Sequence, residues 1–219
     1  VGGAQCPQRR FRVIGGVEIT GADIAWPDAE RPVLTDVDLH LPQGAYVAVI
    51  GESGAGKSTL LAALLGFLPP GNGHVDTPDN VAWAPQEPQL VSTTVAENLR
   101  LAAPKATDDE LRRALDLAVL HDVELDTVLG SAGAGLSGGQ AQRVALARAL
   151  LAAPTADLVL LDEPTAHLDE PTARKLRANL RKALHGRTVV HVTHQAEEAA
   201  DADLVYEVRE GRVMARALR

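Results

Sequence analysis

One stretch of nine residues restricts what this chain can fold into more than any other. Gly51, Glu52, Ser53, Gly54, Ala55, Gly56, Lys57, Ser58 and Thr59 match the pattern G-x-x-x-x-G-K-[ST] in full. The five residues before them, Tyr46–Ile50 (YVAVI), are a short apolar run of the kind that makes a buried parallel strand. Residues 57–68 after them have the spacing of a helix. Strand, glycine loop and helix in that order are the context in which such a loop cradles phosphate.

Each residue type in the loop has a physical reason. Glycines let the backbone wrap a phosphate without Cβ clashes, so that its N–H groups point inward. The following helix adds its positive N-terminal end. Lys57 is placed to reach the β- and γ-phosphates, Ser58 to hold Mg²⁺ and Thr59 to touch the α-phosphate. All nine residues are expected to bind ATP, and hydrolysis is expected to follow.

A second element lies downstream. Residues 158–163 (LVLLDE) are four apolar residues ending in two carboxylates. A buried strand of that composition puts Asp162 and Glu163 at its carboxyl end, where open α/β sheets bind ligands. Asp162 suits Mg²⁺, through water. Glu163 suits orienting or deprotonating the attacking water. Alone, such a strand end is more often a solvated turn; the phosphate loop upstream favours chemistry.

The rest of the chain alternates strands with helices. Residues 17–25 and 33–41 alternate polar and apolar, as half-buried strands do, and 81–84 reads as another strand. A helical pattern runs from about 88 to 151, and residues 107–119 put Leu111, Leu115 and Ala118 on one face. A helix at 171–184, a strand at 188–192, a short helix at 195–200 and a hairpin around Gly211 complete the chain. This reads as an α/β parallel sheet with a helical insertion.

Composition narrows the function classes. There are 29 acidic and 21 basic residues, a net charge of −8, which argues against nucleic acid as a partner. The single cysteine, Cys6, excludes an intrachain disulfide and suits a reducing compartment. No run approaches the roughly 18 apolar residues of a membrane-spanning helix, and no signal peptide is visible. The chain starts at Val1 and its only methionine is Met214. The expectation is therefore the end of a longer polypeptide, with residues 1–12 as a linker and 13–219 as one domain.

The third element is Leu136-Ser-Gly-Gly-Gln140. Ser137 and Gln140 have the Ser-x-x-Gln spacing of a helix capping box. The Ser137 hydroxyl and the N–H groups of Gly138, Gly139 and Gln140 would also bind a phosphate. One nucleotide does not need two phosphate-binding helix ends. A head-to-tail pair of such domains does, each supplying the second anion site to its partner's ATP.

With that element between a phosphate loop and an Asp-Glu strand end, the chain resembles the ATP-binding cassette (ABC) ATPases from about residue 17 to 215. The fold implied is α/β: a P-loop NTPase core with a parallel sheet, an N-terminal antiparallel β subdomain and an inserted α-helical subdomain over about 88–152. Trp26, 25 residues before Gly51, falls where the family keeps an aromatic, usually tyrosine, that stacks on adenine. Gln86 fits the family's Q-loop glutamine, which contacts Mg²⁺ and the water. Residues 166–169 (AHLD) fit the D-loop that crosses the dimer interface, and His194 fits the switch histidine at the γ-phosphate. The resemblance thus implies Glu163, His194, Gln86 and Lys57 as the catalytic group and Ser58, Gln86 and Asp162 as the Mg²⁺ site. His167, His185 and His191 read as structural.

Within the family, residues 85–99 and 127–133 resemble exporter cassettes, with Ser131 where exporters usually carry glutamate. Residues 162–169 (DEPTAHLD) resemble the thiol-reductant exporters linked to cytochrome bd assembly, in which a membrane domain precedes the cassette on the same chain. That resemblance implies a transmembrane domain and a second cassette as partners, at the cytoplasmic face of the cell membrane. A soluble non-transport ABC ATPase and a P-loop small-molecule kinase are the competing readings. The first usually brings coiled-coil insertions or a second cassette in the chain; the second would not need residues 136–140. A regulatory cassette that binds ATP without cleaving it would lack groups that Glu163 and His194 supply here.

Overall fold

The computed structural model describes residues 16–217. The expected linker at 1–12, Cys6 and the outermost residues of the expected domain lie outside them. Two sheets carry the fold. The smaller is antiparallel, in the order β2-β1-β4, from β1 (Val17–Ile24), β2 (Leu34–Leu41) and β4 (Asn72–Asp76). The larger contains β3 (Tyr46–Ile50), β5 (Val81–Ala84), β6 (Leu158–Asp162), β7 (Val189–Thr193), β8 (Leu204–Arg209) and β9 (Arg212–Arg216). Its order is β5-β6-β7-β3-β8-β9, parallel throughout except for the closing β8–β9 hairpin.

Successive strand residues point to opposite faces, and here both faces are covered. Val47, Val49, Leu158, Leu160 and Val192 pack against α1 (Lys57–Leu64) and the small sheet. Ala48, Ile50, Val159, Leu161 and Val189 pack against α2 (Val95–Arg100), α3 (Asp108–Leu117), α4 (Gly138–Ala152) and α5 (Glu170–Ala183). This double burial explains why β3, β6 and β7 are almost continuously apolar in sequence. Among the described residues, no helix is long and apolar enough to cross a membrane.

Three local features depart from the sequence expectations. α1 stops at Leu64, because Leu65 caps it and Gly66 turns the chain at φ 74°. The helical stretch begins at Val95 rather than near 88, where the Thr94 hydroxyl accepts from the Glu97 N–H and caps α2. β4 was not expected, since NGHVD holds one strong strand former, Val75. It forms because β1 offers a free edge, to which Val75 pairs opposite Ile19.

Candidate functional site

The carboxyl ends of β3, β6 and β7 converge on one cavity of about 480 Å³. Trp26, Ser53, Gly54, Gly56, Lys57, Ser58, Thr59, Gln86, Asp162, Glu163 and His194 line it, together with Val33. Gly51, Glu52 and Ala55 do not; they shape the loop from behind.

The loop geometry follows from its glycines. Gly56 has φ 112°, and a Cβ there would lie 2.7 Å from Leu34 Cδ2. A Cβ on Gly51 would lie 2.5 Å from the Val208 carbonyl oxygen. No side chain caps α1, so its first-turn N–H groups stay open toward the cavity. Lys57 is buried, and its ammonium donates to the carbonyls of Gly51 at 2.8 Å and Glu52 at 2.9 Å. Of its three N–H donors, one is left for a ligand.

Asp162 ends β6, and Glu163 follows it directly. Burial, then the adjacent Glu163 carboxylate, raise the Asp162 pKa from 3.8 to about 6; Lys57 and the Gln86 backbone N–H pull the other way. Glu163 adopts φ 47°, a left-handed conformation that disfavours a side chain by roughly 1–2 kcal/mol. It is held there from both sides. Its N–H donates to the Val192 carbonyl, and its own carbonyl accepts from the Ala166 N–H and from Gln142 Nε2 at 3.0 Å. The Glu163 carboxylate meets His194 Nδ1 at 3.1 Å and accepts from Gln86 Nε2 at 3.4 Å. Both contacts fall on Oε2.

Trp26 is 47% exposed, and its indole N–H donates to Thr59 Oγ1 at 3.2 Å. The ring is thus tied to the loop by its indole edge, while much of its surface stays exposed.

Ser137, Gly138, Gly139 and Gln140 are not brought to this cavity. Ser137 caps α4 with both halves of a capping box: its hydroxyl accepts from the Gln140 N–H, and its N–H donates to Gln140 Oε1. Gln140 Nε2 is held in turn by Asp122 at 2.8 Å. A Cβ on Gly138 would meet nothing within 4 Å, so the fold itself has no need of glycine there.

Sequence reasoning missed two polar residues near the site. Gln142 is buried on α4 and reaches the Glu163 backbone; a glutamine on the apolar side of an otherwise Ala- and Leu-rich helix was the available signal. Glu198 is buried beneath β7 and accepts from Thr165, Thr193 and Arg177. Burial pushes its carboxyl up, but the interaction with His191 and the two hydroxyls outweigh this and hold it at about 2. His191, read as structural, is buried and lies 3.1 Å from the Tyr46 hydroxyl.

A mainly parallel sheet with this loop, an Asp-Glu strand end and a flanking histidine define a P-loop ATPase domain. Residues 34–166 match the family model for ABC transporter. The chain is 36% identical over 235 residues to the Escherichia coli (strain K12) glutathione/L-cysteine transport system ATP-binding/permease protein CydD, covering 95% of this chain and 39% of that protein. It is 37% identical over 205 residues to ABC transporter C family member 9 of Arabidopsis thaliana, covering 90% and 14%. Against ATP-binding cassette sub-family B member 6 of Rattus norvegicus it is 34% identical over 221 residues, covering 92% and 26%. The solved structure of a bacterial Atm1-family ABC exporter with ATP bound matches with a TM-score of 0.82 at 27% identity, over 96% of this chain and 40% of that one. The chain belongs to the ABC transporter family and is an ATP-binding ATPase domain of it. It spans at most two-fifths of the length of each of these proteins.

Proposed function

We propose that this domain hydrolyses ATP with Mg²⁺ between paired cassettes and so drives an exporter, with Glu163 aligning the attacking water. The observation that carries the reading is the meeting of Glu163, His194 and Gln86 at the mouth of the phosphate-loop cavity.

The donor set fits Mg²⁺: the exposed Ser58 hydroxyl, the Gln86 amide oxygen and the Asp162 carboxylate are hard oxygen ligands, Asp162 acting through water. Held by these residues, the ion would supply charge neutralisation to the transferring phosphoryl group. The chain's own residues do the rest. The open N–H groups at the start of α1 and the remaining Lys57 N–H hold the phosphates. Trp26 stacks on the adenine. His194 and Gln86 hold Glu163 Oε2, so Oε1 takes the water and its proton for in-line attack on the γ-phosphate. Ser137, Gly138, Gly139 and Gln140 serve the partner cassette's ATP, a reading supported by their distance from this chain's cavity and by the unexplained glycine at 138.

A transmembrane domain on the same polypeptide and a place at the cytoplasmic face of the membrane are supported by relatives named as permeases and exporters that are longer than this chain. Thiol compounds as cargo rest on one relative's name, the glutathione/L-cysteine system. Replacing Glu163 by Gln tests the core of the reading. ATP binding should persist while turnover falls by at least 100-fold; hydrolysis at a near-normal rate would remove Glu163 from the role given to it.

A further inference from the structure

The Glu163–His194 pair stands on two separate chain segments. Glu163 leads through Pro164 into Thr165, and His194 directly follows Thr193. Both threonines are buried, and both hydroxyls donate to one carboxylate, Glu198. Thr165 Oγ1 meets Oε1 at 2.5 Å, and Thr193 Oγ1 meets Oε2 at 2.6 Å. The Glu198 side chain has no exposure, and α5 sends Arg177 Nη1 to Oε1 at 3.1 Å. His191 Nε2 stands 3.6 Å from Oε2. Packing alone does not require an ion at such a place, since well-packed apolar residues commonly serve as well or better. What an apolar residue cannot do is take two hydroxyls on two oxygens of fixed spacing.

We propose that Glu198 is a positioning residue for ATP hydrolysis: by tying Thr165 and Thr193 to one carboxylate, it sets the contact between Glu163 and His194. This rests on the hydrolytic role proposed for Glu163. Among the described residues, none of the phosphate loop bonds directly to Glu198, so nucleotide affinity and turnover should separate. A misplacement of about 1 Å can lower a rate by about 100-fold without touching the reacting groups.

Steady-state ATP hydrolysis by the full-length protein tests this with Glu198→Gln, Glu198→Asp, Thr165→Val, Asp203→Ala and Glu163→Gln side by side. Glu198→Gln exchanges one acceptor for a donor, and Thr165→Val removes one tie at nearly constant shape. Both should lower kcat at least tenfold and change KM for ATP less than twofold, and Glu198→Asp should recover part of the loss. Asp203→Ala loses the acceptor for the Tyr46 N–H at the far end of β3, and should lower Tm while keeping kcat. Wild-type kcat in Glu198→Gln beside an inactive Glu163→Gln overturns the positioning role alone. A loss shared equally between kcat, ATP affinity and Tm overturns it too. If Glu198→Gln does not fold, wild-type kcat in folded Thr165→Val overturns it. Normal turnover in Glu163→Gln overturns the hydrolytic reading, and this inference with it.

Discussion

Asp162 sits where a negative charge is disfavoured, and this has a measurable consequence. With its pKa raised from 3.8 to about 6, the folded chain keeps a proton that the unfolded chain has released between roughly pH 4 and 6. The folded state binds more protons in that window, so this residue makes stability fall as pH rises through it. Two pK units correspond to about 3 kcal/mol. Asp162→Asn, which cannot ionise, should therefore raise Tm at pH 7.5 and leave it close to wild type at pH 4, as thermal melting at both values would reveal. An equal gain at both would mean that the charge is not the cause. Asp162, Glu163 and Lys57 were legible in sequence because a few contiguous residues encode their place. Gln142 and Glu198 were not, because their partners Glu163, Thr165 and Arg177 lie 21 to 33 residues away in the chain.

The N-terminal turn of α4 lets fold and function be separated within one element. Ser137 makes both halves of a capping box, so Ser137→Ala should lower stability by about 1 kcal/mol. Gly138 has open space around its missing Cβ. Gly138→Ala should hold or raise Tm, since alanine favours a helix by up to about 1 kcal/mol. If the glycine exists for close approach of a phosphate, the same substitution should cut ATP hydrolysis at least tenfold. Melting and turnover measured on one preparation decide it, and full activity with a raised Tm would take Gly138 out of the phosphate site. The capping box was readable from spacing alone, as was the order of strands and helices around it. β4 was not, because its partner on β1, rather than its own residues, makes it a strand.

For the whole molecule, the question is how much of a catalytic site one chain contains. The cavity brings together the phosphate loop, both strand-end carboxylates, Gln86 and His194, and it omits Ser137–Gln140. α4 packs with α2 and α3 on one face of the large sheet, and α1, into which the loop leads, packs on the other. The sequence carried both halves as motifs and raised the expectation that two chains share them; the assembled fold adds that Ser137–Gln140 lie outside this chain's cavity. If two chains complete each other's sites head to tail, turnover per chain should rise with concentration at low occupancy of the pair and then level off. Glu163→Gln, which should retain ATP, ought to double the mass seen by light scattering when ATP is added and return to the single-chain mass when it is withdrawn. A second substitution in the partner half, Ser137→Arg, should abolish that doubling while leaving ATP bound at Lys57. Constant turnover per chain across a hundredfold dilution, with no change of mass on adding ATP, would make one cassette sufficient and end the case for a shared site.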